Sequence, residues 1–212
     1  MFEKITFALT SCGRPDLLER TMDSFFNFNT YPIDKYIISE DSNILGINDR
    51  LIEKYKDKNI EWIINTERLG QIKTIDNMYS KIETEYIFHC EEDWLFTNSS
   101  FIEKSLDILK LNDKILQVWL RARDDTNGHP IVYFNDSYDL IAYGYLNCWN
   151  GFSFNPGLRR LVDYKLISKY GDVGHEPQIS EKYRELGYKA AILKDKYVEH
   201  IGWGQHITDV VK

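Results

Sequence analysis

Apolar residues in the N-terminal part of the chain switch repeatedly between a strand period and a helix period. This alternation limits the fold more than any other feature. KITFALT (residues 4–10) reads as a buried strand. RPDLLERTMDSFFNF follows, with Leu17, Leu18, Met22, Phe25 and Phe26 at helical spacing and Pro15 suited to a helix's first turn. KYIISED, IEWIINT and EYIFHC read as three further strands, separated by the helical runs ILGINDRLIEKYKD and GQIKTIDNMYSKIE. Strands alternating with helices predict a parallel sheet covered on both faces, with right-handed crossovers. Ligands of such sheets bind beyond the carboxyl ends of the strands.

The rest of the chain is less regular. SSFIEKSLDILKL reads as a helix opened by a Ser cap, and KILQVWL as a strand. IVYFND and YDLIAYGYL read as paired strands leaning on the sheet. GLRRLVDYKLISKYG (157–171) and EPQISEKYRELGY (176–188) read as helices stopped near a Gly, and KAAIL as a returning strand. The Gly- and Trp-rich tail KYVEHIGWGQHITDVVK is expected to fold over something. No repeat, linker or low-complexity segment divides the 212 residues, so one compact domain is expected.

A formal charge of -7 argues against a nucleic-acid or general polyanion binder, which needs a basic face. Aromatic residues make up 14%, enough to furnish both core volume and a sugar or nucleobase site. Cys12, Cys90 and Cys148 form no zinc-type spacing and read as reduced thiols in a cytoplasmic compartment. No segment reaches the roughly 18 apolar residues of a membrane span. A soluble protein is expected, with a membrane-linked substrate still open to it.

Three of the first four strands end in polar groups: Thr10-Ser11-Cys12-Gly13-Arg14, Ser39-Glu40-Asp41-Ser42 and Glu91-Glu92-Asp93. A parallel sheet brings these tips to one edge. GxGxxG and GxxxxGK[ST] are both absent, so neither a dinucleotide site nor a P-loop is expected. Acids at the tips instead suit a divalent ion, Mn2+ or Mg2+, bridging to phosphate. An acid triplet alone also suits a solvated loop or a helix cap; the second acidic tip, Glu40-Asp41, favours the ligand reading.

ITFALTSCGRPDLLERTMDSFF, YIISEDSN, the run from NTERLG to IDNMYSKIETEYIFHCEEDW, and EPQISEKYRELGYKAAIL together resemble the family-2 glycosyltransferases of the GT-A fold. The resemblance implies an α/β domain with a mainly parallel central sheet, helices on both faces and a small antiparallel acceptor-side sheet. Residues 1–96 would form the nucleotide-sugar-binding half and 97–212 the acceptor-side and catalytic half. It implies a UDP-type nucleotide-sugar donor, a glycan or glycoconjugate acceptor and a divalent metal.

By the same resemblance Thr10, Ser11 and Arg14 stand near the nucleobase or ribose, and Asp41 accepts from a uracil-type N–H. Asp93 and Glu91, in the DxD-like triplet, would ligate the metal, with Glu92 on ribose or metal-bound water. His200 matches a late histidine that reaches the metal or diphosphate, with His206 and His175 as weaker candidates. Lys73 or Arg68 would meet the diphosphate. Trp149, Phe152 or Trp203 would stack on a sugar. Glu176, at a helix start, matches the catalytic base that takes the acceptor's proton. The sequence departs from the pattern at Glu91 (Asp is usual), Cys12-Gly13 (Tyr-Asn), Asp76 (Asn), His175 and Gln178. A nucleotidyltransferase and a non-catalytic sugar-nucleotide or glycan-binding module are the rival readings.

Overall fold

The computed structural model describes residues 2–144, 148–205 and 207–208. The expected alternation opens the chain: β1 (Ile5–Ser11), α1 (Pro15–Phe28), β2 (Lys35–Glu40), α2 (Asp49–Lys54), β3 (Ile60–Ile64), α3 (Gln71–Tyr79) and β4 (Tyr86–Glu91). A tight turn leads to β5 (Trp94–Phe96), then α4 (Phe101–Leu111), β6 (Ile115–Trp119), β7 (Ile131–Tyr133) and β8 (Tyr138–Ile141). The remainder is β9 (Gly157–Arg160), α5 (Leu161–Leu166), α6 (Tyr170–Val173), α7 (Glu176–Glu185), β10 (Lys189–Leu193) and β11 (Val198–His200).

Nine strands form one sheet in the order β3-β2-β1-β4-β9-β6-β10-β8-β7. β1 pairs in parallel with β2 and β4, and β2 with β3. β6 and β10 are also parallel, so only β8 and β9 run against the common direction. Alternate residues of the strands feed two cores. Phe7, Leu9 and Phe88 pack with Phe25 of α1 and Phe101 of α4 on one face. Ala8, Ile37 and Ile87 pack with Ile75 of α3, Tyr164 of α5 and Tyr183 of α7 on the other.

Two segments differ from the sequence reading. Residues 157–171 do not form one helix: Gly157–Arg160 is a strand inserted between β4 and β6. Long-range pairing overrides local periodicity there. A Cβ on Gly157 would lie 2.9 Å from the Val118 carbonyl, so the strand fits only with glycine at that point. Arg160 then caps the neighbourhood, its guanidinium donating to the carbonyls of Leu109, Asp113 and Ile115. The pair β7–β8 is antiparallel as expected but extends the edge of the main sheet through β10. The separate small antiparallel sheet is β5 with β11, where the tail returns to the acid turn.

Candidate active site

Register brings the polar strand tips together. Thr10 lies between Ser39 and Glu91, and Ser11 beside Glu40. Glu40, completely buried, ties two tips: its carboxylate accepts from Ser11 Oγ, Asn48 Nδ2 and the N–H groups of Gly13 and Ser42. Asp41 accepts from Asn65 Nδ2 and the N–H of Leu69 at Oδ1, and from the N–H of Gly70 at Oδ2, each at 2.8 Å. It therefore fixes the entry to α3 from the floor of the cleft.

Glu92 and Asp93 occupy the turn between β4 and β5. Thr21 of α1 holds that turn, its hydroxyl donating to the Glu92 carbonyl (2.6 Å) and accepting from the Trp94 N–H (3.1 Å). Both acids are buried, and Arg14 is the partner that makes this tolerable. Arg14 Nε and Nη2 donate to Glu92 Oε1 at 2.9 and 2.8 Å, and Nη2 lies 3.0 Å from Asp93 Oδ2. Asp93 Oδ2 also meets His200 Nε2 at 3.3 Å. Burial pushes the Asp93 carboxyl up, but His200 and Arg14 outweigh it and hold the group below its usual range. Burial raises Glu92, with Arg14 opposing. Glu91 is raised by burial and by the charges of Asp93, Glu176 and Glu92, and accepts from Gln71 Nε2 at 2.6 Å.

The tail completes the wall. Ile201 N–H donates to the Asp93 carbonyl, and a Cβ on Gly202 would sit 2.4 Å from Asp93 Oδ2, so only glycine passes so close. Gln205 and Thr208 present their carbonyls to Arg14 and Arg68. His200 packs between the rings of Trp94 and Trp203, at 5.0 and 4.7 Å. Arg121 stacks over Trp94 and pairs with Asp125.

The resulting cleft of about 360 Å3 is lined by Thr10, Ser11, Arg14, Asp41, Glu91, Glu92, Asp93 and His200, all singled out in the sequence. Arg68 and Trp203 line it too. Lys73 is exposed on α3 and lies outside the lining. Trp149 and Phe152 are core residues; Trp149 is 5% exposed and its indole N–H donates to the Ile141 carbonyl. His206 lies outside the described residues. Asp76 faces away from the cleft, accepting from Tyr164 Oη and the N–H groups of Tyr170 and Gly171 at the start of α6. Arg121, Gln71, Asn127 and Asn155 line the cleft without having been singled out. Arg121, Asn127 and Asn155 lie in loops, which carry no periodicity, and Gln71 stands at the first position of α3, where a polar residue is ordinary.

Glu176 begins α7, partly exposed and outside the cleft lining, and accepts from the Phe154 N–H at 2.6 Å. Burial raises its carboxyl, against the pull of Phe154, Ser153 and Arg159.

A divalent ion here would be held by Asp93 and His200, whose Oδ2 and Nε2 now meet at 3.3 Å beside Arg14 Nη2. Among the described residues no cluster of three or more His, Cys, Asp or Glu side chains is placed to hold a metal.

No family model matches the sequence, and no curated protein does. Solved structures do match in fold. A mannosyltransferase from Pyrobaculum calidifontis, PcManGT, in complex with GDP-Man and Mn2+, superposes with a TM-score of 0.67 at 14% identity, over 92% of this chain and 56% of that one. S. aureus TarS 1–349 in complex with UDP-GlcNAc gives 0.66 at 14% identity, over 96% and 62%. GalNAc-T7 with UDP, GalNAc and Mn2+ gives 0.73 at 12% identity, over 97% and 45%. This chain thus spans only about half to three-fifths of those chains. Among the described residues no helix is long and apolar enough to cross a membrane. With its strand-tip cleft, its mostly parallel sheet and its separate two-stranded sheet, the chain has the GT-A fold of nucleotide-sugar glycosyltransferases.

Proposed function

We propose that the chain is a metal-dependent glycosyltransferase that moves a hexose-type sugar from a UDP-type donor to an acceptor hydroxyl, with inversion, in glycan synthesis. The observation that carries this reading is the meeting of Asp93 and His200 at 3.3 Å on the cleft edge that Thr10, Asp41 and Arg14 also line. The structures of similar fold bind GDP-Man, UDP-GlcNAc or UDP, two of them with Mn2+, which supports both the donor class and the metal.

In this reading Thr10, Ser11 and Asp41 hold the nucleoside. Asp93 and His200 would hold the ion, which when bound would neutralise charge on the departing diphosphate. Arg14 keeps the two acids in place, and Arg68 adds positive charge to the cleft lining. Glu176 takes the acceptor's proton as the acceptor oxygen bonds to the anomeric carbon. The bond between that carbon and the diphosphate oxygen breaks on the opposite face, and its electron pair leaves with the nucleoside diphosphate. Trp203, 64% exposed on the cleft rim, offers an aromatic face to a sugar. Release of UDP or GDP from nucleotide sugars, with an acceptor mixture and Mn2+, tests the reading. Binding of the donor without turnover under any acceptor would favour a binding module instead.

A further inference from the structure

Arg159 is among the most deeply buried charges in the protein. It lies on β9 with 2% of its surface exposed, and its Nε and Nη1 have no hydrogen-bond partner. Burying a guanidinium so incompletely satisfied is costly, and such sites persist when they serve something else. Its surroundings are aromatic. The guanidinium stacks over Phe152, and its charge is felt by Tyr79 of α3, His89 of β4, and Tyr170 and Tyr183 of α6 and α7.

Besides a bond with the Tyr170 side chain, the guanidinium makes one to the main chain. Nη2 donates to the Ser153 carbonyl at 3.0 Å. That carbonyl and the Phe154 N–H belong to a single peptide unit. The N–H donates to Glu176 Oε1 at 2.6 Å. The peptide is planar and trans, so its oxygen and hydrogen point in opposite directions. A cation on the oxygen polarises the N–H, and hydrogen bonds in such a chain reinforce one another. The Gln117 carboxamide, with its amide nitrogen turned toward Ser153, reaches the same carbonyl at 3.1 Å. The peptide is thus fixed from the core side, while its far end grips the carboxylate at the start of α7.

We propose that Arg159 is a positioning residue for Glu176, acting across the Ser153–Phe154 peptide. It rests on the reading of Glu176 as the base. It gives the buried cation a purpose: aiming the carboxylate and strengthening the donor that holds it, without touching substrate. The charges that act on Glu176 are Arg159 of β9, which favours its anion, and Glu91 of β4, which opposes it.

The test is NMR of protein labelled at Arg, Phe and Glu, titrated with acid, with Glu176→Gln assigning the Glu176 carboxyl. In the wild type, the Phe154 amide and the Arg159 guanidinium resonances should titrate with the Glu176 carboxyl through one midpoint. Arg159→Lys, which keeps a charge but loses the fork, should move the Phe154 amide proton upfield. Arg159→Met should also raise the Glu176 midpoint. Arg159 resonances that stay flat while Glu176 titrates would overturn the proposal, and the wild-type titration decides even where a variant fails to fold. A Phe154 amide unmoved in folded Arg159→Lys would overturn it as well. Nucleoside diphosphate release from UDP- and GDP-sugars by Glu176→Gln separates the two readings. Uncoupled resonances beside an inactive Glu176→Gln sink the relay alone. Full turnover by Glu176→Gln sinks the base, and the positioning role with it.

Discussion

Arg14 Nη2 and Asp93 Oδ2 lie 3.0 Å apart inside a turn where a second acid, Glu92, is bound by the same guanidinium. The chain thus carries its own countercharge at the edge where a divalent ion is proposed to bind. Arg14→Met leaves Glu92 without its cation and Asp93 with His200 alone, which costs about 3 kcal/mol of stability. A thermal melt should show a large loss, partly restored by millimolar Mn2+. A loss that Mn2+ does not touch would separate Arg14 from the metal.

Glu176→Gln should lower turnover about a hundredfold to ten-thousandfold, the range for removing a general base, while UDP affinity changes less than about twofold. The Glu176 carboxyl is raised above its ordinary value, mainly by burial. The base must be ionised to work, so wild-type turnover should fall as pH drops through a midpoint above 4.5. The acid limb of kcat/KM checks this, and a limb at an ordinary carboxylate position would contradict it.

The two tryptophans separate packing from binding. Trp149→Ala empties a core site and should cost about 3–5 kcal/mol, with donor affinity of the folded fraction unchanged. Trp203→Ala removes an exposed ring from the cleft rim and should leave the melting temperature nearly unchanged while weakening sugar-dependent binding. Melts and donor titrations on both variants read the difference.

Cys12 lines the cleft, yet burial pushes its thiol up to about 11 from 9.0, only partly offset by Arg68. Two units mean about a hundredfold less thiolate at neutral pH. Iodoacetamide should therefore label Cys12 about a hundredfold more slowly than an ordinary thiol, as peptide mapping would show.

Much of this was legible in the sequence because strand and helix periods are local. The tips carrying Thr10, Asp41 and Asp93 follow from that alternation, and their convergence follows from the parallel sheet. Gly157–Arg160 was not legible, since its strand is set by β4 and β6, and Leu158 and Leu161 also fit a helix. Trp149 illustrates another limit: an aromatic beside Gly and Asn looks the same in sequence whether it packs or binds. Arg68 and Lys73 differ only in position relative to α3, and only the one in the preceding loop lines the cleft. The contact between Arg159 and the peptide that holds Glu176 depends on a main-chain atom, which no side-chain pattern encodes.

The most direct measurement is isothermal titration of the wild type and Asp93→Asn with UDP, GDP and dTDP, with Mn2+ and with chelator. The account predicts that at least one nucleotide, UDP foremost, binds the wild type with Mn2+, and that binding weakens sharply with chelator or in Asp93→Asn. Failure of all three nucleotides to bind the folded wild type in Mn2+ would contradict it.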